Sequence, residues 1–263
     1  MLTDLLVVAG ASLLVAVIAM TVTALVARRL GRVNVVDVTW GLALLAVAVV
    51  CAALSPTWEA WLLVGLVGIW GVRLSWHIVI RSRGAGEDPR YQEMLGGGGF
   101  RTAVTKVFGI QGAAVWLVSM PLQAAVLTDV VWPWVCALGV AVWAVGVVFE
   151  AVGDRQLAAY RARPRDQRPP VLDTGLWAWT RHPNYFGDAL VWWGIWMTGA
   201  LSAGWLPALV TLAAPVMMTH FLRNVTGAKL LERSMSGRPG WDEYAARVPL
   251  FVPRPRRRVT LRG

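Results

Sequence analysis

The chain has 263 residues, of which 57% are hydrophobic and only 15% charged, with a mean hydropathy of +0.55. That is too apolar for a soluble domain of this length and describes a polytopic membrane protein. The formal net charge of +10 would also suit nucleic acid, but in so apolar a chain excess arginine marks loops on one side of a membrane, or grips an anionic head group or cofactor, so nucleic acid is set aside as a partner.

Seven apolar segments follow in chain order, at 4–27, 35–54, 58–80, 104–127, 131–151, 184–203 and 205–223. Each is about 17–25 residues long, the length that crosses a bilayer as a helix. The first lacks a basic leader, carries Asp4 and ends in the stop-transfer pattern "ARRLGR", so it reads as a retained helix. The connections "SPTWE", "LTDVVWP" and "LSAGWLP" are tight turns without lysine or arginine. Basic residues gather in the other gaps: Arg28, Arg29 and Arg32; then Arg81, Arg83, Arg90 and Arg101; then six arginines from Arg155 to Arg181; and finally the tail. Basic segments stay in the cytoplasm, so the expected topology is all-α with seven transmembrane helices, the N-terminus outside and the C-terminus cytoplasmic. The chain is expected to form one domain, 1–263, with segments 81–103, 152–183 and 224–263 forming its cofactor side. No internal repeat is evident. The "GGGG" at 96–99 reads as a hinge, because no strand precedes it and no Gly-Lys-Ser/Thr follows.

Ionisable groups within spans are costly and default to site candidates. Here they are Asp37, Arg73, His77, Glu150 and Asp188, all within about 12 Å of the inner surface at 1.5 Å rise per residue. The outer halves of the spans carry no charge, as a cavity open to the cytosol requires. A proton or ion pathway would have polar groups along its whole depth, so transport is disfavoured. In "EAVGDRQLAAYRARPRDQ", Glu150, Asp154, Leu157 and Arg161 recur every three or four residues and share a helix face that continues the fifth span into the cytosol. The loop "RSRGAGEDPRYQ" combines Arg81 and Arg90 with acids and Tyr91. Arginine forks suit phosphates and carboxylates suit ribose hydroxyls, so the two segments together fit a nucleotide better than a simple anion. The alternative is a solvated cytoplasmic surface. Metal is not expected: His77, His182 and His220 stand apart, and Cys51 and Cys136 lie in apolar runs.

"TGLWAWTRHPNYFGD" turns from the cytosol into the sixth span. Pro183 suits a first helical turn, with Arg181 and His182 just before it, near the positive end of the dipole. Asn184 and Asp188 are spaced i, i+4, and Trp192 shares their face.

Three stretches, "GLWAWTRHPNYFGDALVWWG", "FEAVGDRQLAAYRARP" and "GWDEYAARVPLFVP", together with "VNVVDVTWG" and "WGVRLSWHIVIRSRGAGEDPRY", resemble the steroid 5-alpha-reductase superfamily over nearly the whole chain, closest to a bacterial branch without an assigned substrate. The Arg-His-Pro-x-Tyr-x-Gly core also occurs in isoprenylcysteine carboxyl methyltransferases, where it helps bind S-adenosylmethionine. The reductase resemblance implies a seven-helix enzyme of the bacterial inner membrane that binds NADPH from the cytoplasm and reduces a carbon–carbon double bond conjugated to a carbonyl. Asp154, Arg161, Asn184 and Asp188 match the cofactor motif, with aspartate where the family often has glutamate, and Arg181, His182 and Tyr185 belong to the same motif. Asp37 and Tyr91 are matched to the substrate-polarising pair of an early acid and a tyrosine. A desolvated, protonated Asp37 would donate a hydrogen bond to the carbonyl.

The implied substrate is lipophilic (a sterol-like, polyprenyl or fatty-acyl enone) and arrives from the membrane lipids. One alternative is a methyltransferase using S-adenosylmethionine, which carries no phosphate and needs fewer arginines. Another is a non-catalytic lipid-binding scaffold, in which Asp37, Asp154 and Asp188 would be helix-packing groups.

Overall fold

The computed structural model describes residues 2–254 apart from Ala85, Thr226 and Ser234. The basic residues of the tail beyond Arg254 lie outside the described residues. Every regular element among the described residues is helical: α1 (Leu2–Leu30), α2 (Val36–Leu54), α3 (Trp58–Ser82), α4 (Pro89–Leu95), the run α5 (Phe100–Ala125), α6 (Pro133–Ala162), α7 (Pro183–Gly199), α8 (Trp205–Thr211), α9 (Ala213–His220), α10 (Ala228–Arg233) and α11 (Trp241–Arg247). Six stretches are long and apolar enough to cross a membrane: α1, α2, α3, α5, α6 and the run Trp205–Arg233. They mark the chain as an integral membrane protein. The segment predicted at 184–203 forms α7, which has 17 residues and is therefore about 25 Å long, a little short of a hydrocarbon core.

The described residues separate into two compact units, one running to Val140 and including Gly194–Pro215, the other holding Ala141–Trp193 and the chain from Val216 onward.

In the first unit, α1 packs on α2 and α2 on α3. The buried residues of α1 are Val8, Ser12, Ala16, Met20, Thr23, Ala24 and Ala27, an i, i+4 stripe of mostly small side chains. Its other faces expose Leu6, Leu14, Ile18 and Leu25, as lipid allows. The helix pair α2–α3 crosses at Gly41 and Gly71, where a Cβ on Gly41 would lie 2.6 Å from the Gly71 carbonyl oxygen. Small residues at such a crossing bring two backbones into dispersion contact where lipid provides no hydrophobic drive. The run α5 opens into a π turn over Val104–Gly109, and its Trp116 Nε1 donates to the Ala9 carbonyl of α1 at 3.0 Å. Gly96, in the left-handed conformation at φ 53°, ends α4, its N–H donating to the carbonyls of Gln92 and Glu93. The start of the four-glycine stretch is therefore a helix cap.

The helix α6 is unbroken over 30 residues, about 45 Å long, so roughly a third of it outruns a hydrocarbon core, and its stretch from Ala141 belongs to the second unit. It packs closely on α7 at Gly187, where a Cβ would lie 2.4 Å from the Glu150 nitrogen. The segment after α11 runs back along the turn into α7: Arg181 N donates to Pro249 O at 3.0 Å and Arg254 N to Trp179 O at 2.8 Å. Trp241, Tyr244 and Val248 form a small core beneath it with Val171, Met235 and Ala245.

Candidate functional site

The structure gathers most of the predicted site residues into two constellations, one in each unit. The first is built on the N-terminal turn of α2 and on α4. Asp88 caps α4, its carboxylate accepting from Arg90 N at 2.9 Å, with Pro89 in the first turn, where a missing N–H costs nothing. This fixes the direction of the two residues that follow. Tyr91, 5% exposed, donates its hydroxyl to Asp37 Oδ1 at 2.5 Å. Arg90 Nη2 reaches Asp37 Oδ2 at 3.2 Å while also pairing with Asp88 Oδ2 at 2.8 Å. Glu87 clamps the loop in place, its carboxylate accepting the backbone N–H groups of Val33 and of Asn34, the latter at 3.0 Å.

Electrostatics follow from this packing. Burial pushes the Tyr91 phenol up, and the Asp37 charge and the hydrogen bond to it push in the same direction. The phenol therefore keeps its proton throughout the physiological range and is a donor. Burial also works to raise the Asp88 carboxyl. Hydrogen bonds from Arg90 and the charges of Arg90 and Arg81 outweigh it and hold Asp88 below the ordinary carboxylate range. Both oxygens of Asp37 accept, one from Tyr91 and one from Arg90. Arg90, expected at a cofactor phosphate, is committed to Asp37 and Asp88. Arg81 lies in the last turn of α3, close enough to act on Asp88.

The second constellation joins α6 to α7. Asp154 is 7% exposed and accepts from Asn184 Nδ2 at 3.1 Å. The other end of this amide, Asn184 Oδ1, is buried with no hydrogen-bond partner among the described residues. Such an acceptor carries a desolvation cost of about 1–3 kcal/mol that an incoming N–H or O–H group would remove. Asp188, one turn further along α7, is 6% exposed, and Glu150, one turn back along α6, is 3% exposed. Arg161 is exposed at the end of α6, its carbonyl held by Arg168.

Arg181 and His182 are placed differently from their neighbours in the motif. The Arg181 guanidinium forks onto Glu232, with Nε to Oε1 at 2.7 Å and Nη2 to Oε2 at 3.1 Å. Its Nη1 donates to the carbonyls of Ala245 at 2.5 Å and Val248 at 3.1 Å. His182 Nε2 lies 3.2 Å from Glu232 Oε1, and its ring stacks on Tyr185 with centroids 5.7 Å apart. These two residues therefore staple the C-terminal segment to the entrance of α7. Glu232 was not among the sequence-predicted residues. Nothing local marks it, since it stands 51 positions from Arg181 in a polar stretch rich in charge.

The family model described as "Protein of unknown function (DUF1295)" matches residues 23–248, and the chain belongs to that family. No curated protein and no solved structure matches the chain.

Proposed function

We propose that the chain is an NADPH-dependent reductase of a carbon–carbon double bond conjugated to a carbonyl, acting on a lipophilic enone, and that it is akin to the steroid 5-alpha-reductases. In this reading α7 is a seventh span, the N-terminus lies outside and the cofactor side faces the cytoplasm of a bacterial inner membrane. The observation that carries it is the Tyr91–Asp37–Arg90 cluster: a protonated phenol held by a carboxylate that is itself held by a guanidinium. When a substrate carbonyl arrives, Tyr91 turns its hydroxyl to the oxygen and stabilises the developing enolate. Asp37 and Arg90 fix the ring's position, and the hydroxyl gives up its hydrogen bond to Asp37 as it turns to the carbonyl.

The second constellation fits a reduced nicotinamide dinucleotide by the chemistry of its donors and acceptors. Asn184 Oδ1 is a buried acceptor without a partner, suited to an amide or hydroxyl. Asp154 and Asp188 are carboxylates suited to ribose hydroxyls, and the exposed Arg161 is suited to phosphate. When bound, such a cofactor would supply a hydride equivalent for the β-carbon, and a proton from solvent would complete the reduction at the α-carbon. The chain's own task is to hold and orient it.

A second reading, a methyltransferase using S-adenosylmethionine, draws support from the commitment of Arg90 and Arg181 to carboxylates, which leaves fewer arginines for phosphates. A thermal-shift titration of the detergent-purified chain separates the readings, with NADPH, NADH, S-adenosylmethionine and S-adenosylhomocysteine as ligands and Asn184→Ala as control. A ligand at about 100 times its Kd stabilises by about 2.7 kcal/mol. NADPH is expected to raise the melting temperature of the wild type and not of the variant. A shift with S-adenosylmethionine alone would favour the second reading, and no shift with any ligand would favour a scaffold.

A further inference from the structure

A cleft of about 600 Å³ opens in the first unit where the C-terminal end of α1, the start of α2 and the C-terminal end of α3 meet. Neither Asp37 nor Tyr91 lines it. Its walls are Val22 and Val26 of α1, Val38 of α2 and Val79 of α3, and the first two are 54% and 43% exposed. The hydroxyls that face it are satisfied within the protein. Thr23 and Thr39 bond each other at 2.9 Å, and Ser82 bonds the Val79 carbonyl at 3.2 Å. The wall therefore presents methyl groups to an occupant and asks for no hydrogen bond.

The mouth is different. Arg32 and Arg83 both line it, and Arg83 is exposed with no carboxylate partner among the described residues. The three helix ends that form the mouth lie on one side of the bilayer if α1, α2 and α3 span it. Along α1 the wall from Ala19 to Val26 runs about 10 Å inward from there. A cationic rim at head-group level above an apolar slot open to the bilayer matches one kind of molecule, an amphiphile with an anionic head and an acyl chain.

From this complementarity we infer that the cleft is a binding site for an anionic membrane phospholipid. Its head group sits on Arg32 and Arg83, and an acyl chain lies along Val22, Val26, Val38 and Val79. The site is separate from the proposed reaction, and the inference does not rest on the reductase reading.

Native mass spectrometry of the detergent-purified full chain tests it, with dioleoyl phosphatidylglycerol and dioleoyl phosphatidylcholine as probes. Phosphatidylglycerol is expected to bind more tightly than phosphatidylcholine, and Arg83→Gln to weaken it by about fivefold. Val22→Trp, which fills the slot from an exposed position, should abolish retention of the lipid while leaving the lipid-free melting temperature unchanged. Glycerol 3-phosphate in excess should not displace the lipid, since it offers the head group without the chain. Equal affinity for the two lipids, displacement by glycerol 3-phosphate, or binding by Arg83→Gln indistinguishable from wild type would each overturn the inference. Should Val22→Trp fail to fold, the exposed Arg83→Gln substitution still decides it.

Discussion

The commitment of Arg181 to Glu232 makes a quantitative prediction about what this arginine is for. Its side chain is 12% exposed and that of Glu232 is 20% exposed, and the pair makes two parallel contacts at 2.7 and 3.1 Å. Breaking a fully buried pair from one side costs about 3–5 kcal/mol. Partial exposure of both groups lowers that, so we expect about 2–3 kcal/mol for Glu232→Gln. In a chain of this size that corresponds to a fall in melting temperature of about 4–12 °C, at about 2–4 °C per kcal/mol. Arg181→Met should cost a similar amount, because it also releases the carbonyls of Ala245 and Val248. A double-mutant cycle on the two positions, read by thermal unfolding of the purified chain, should give a coupling energy of about 1.5–3 kcal/mol. If Arg181 instead serves a ligand phosphate, Glu232→Gln would be close to neutral and Arg181→Met would weaken ligand binding at little cost in stability. A coupling below about 0.5 kcal/mol would refute the staple.

Further predictions follow from the packing. Gly187→Ala would drive a Cβ into the Glu150 backbone, which cannot swing away as a side chain could; a loss of about 1–3 kcal/mol is expected on thermal unfolding. Asp88 has its folded pKa depressed, so its contribution is fully present above the unfolded value of about 3.9 and is lost as pH falls through the lower folded value. Asp88→Asn should remove that acid limb from the stability profile, and an unchanged limb would show that Arg90 does not hold the carboxylate in solution.

Much of the helical frame was legible in the sequence. The segments predicted at 35–54 and 58–80 appear as Val36–Leu54 and Trp58–Ser82, because an apolar run of bilayer length has little choice but helix. The extension of the fifth segment was legible in the spacing of Glu150, Asp154, Leu157 and Arg161, and α6 carries all four. The early end of α7 was not. Gly199 meets the backbone of Pro121, where a Cβ would lie 2.7 Å from its carbonyl oxygen, and the chain turns there through a short 3-10 segment, Leu201–Ala203. That contact joins residues 78 positions apart, beyond the reach of any local pattern.

The site was legible in part. Asn184 and Asp154 were both expected at one cofactor site and do meet. The pairing of Asp37 with Tyr91, 54 positions apart, was expected from family resemblance and not from spacing. Arg90 was expected at phosphate; it pairs with Asp37 and Asp88, and Asp88-Pro89 carried the signal for that placement. An aspartate cap with proline in the first turn starts a short helix there, and that helix aims Arg90 and Tyr91 together at Asp37. The partner of Arg181 was hidden, because a glutamate on a distant polar helix looks the same in sequence as a solvated one.

The claim that the Tyr91–Asp37 cluster polarises an enone is tested most directly by following NADPH consumption by the purified chain across a panel of lipophilic enones, in the wild type and in Tyr91→Phe. The account predicts consumption that depends on the enone and yields the saturated ketone, reduced by about 10²–10⁴-fold in Tyr91→Phe. It also predicts that the NADPH-induced thermal shift is unchanged in that variant. Enone-dependent turnover that persists in full in Tyr91→Phe would contradict it.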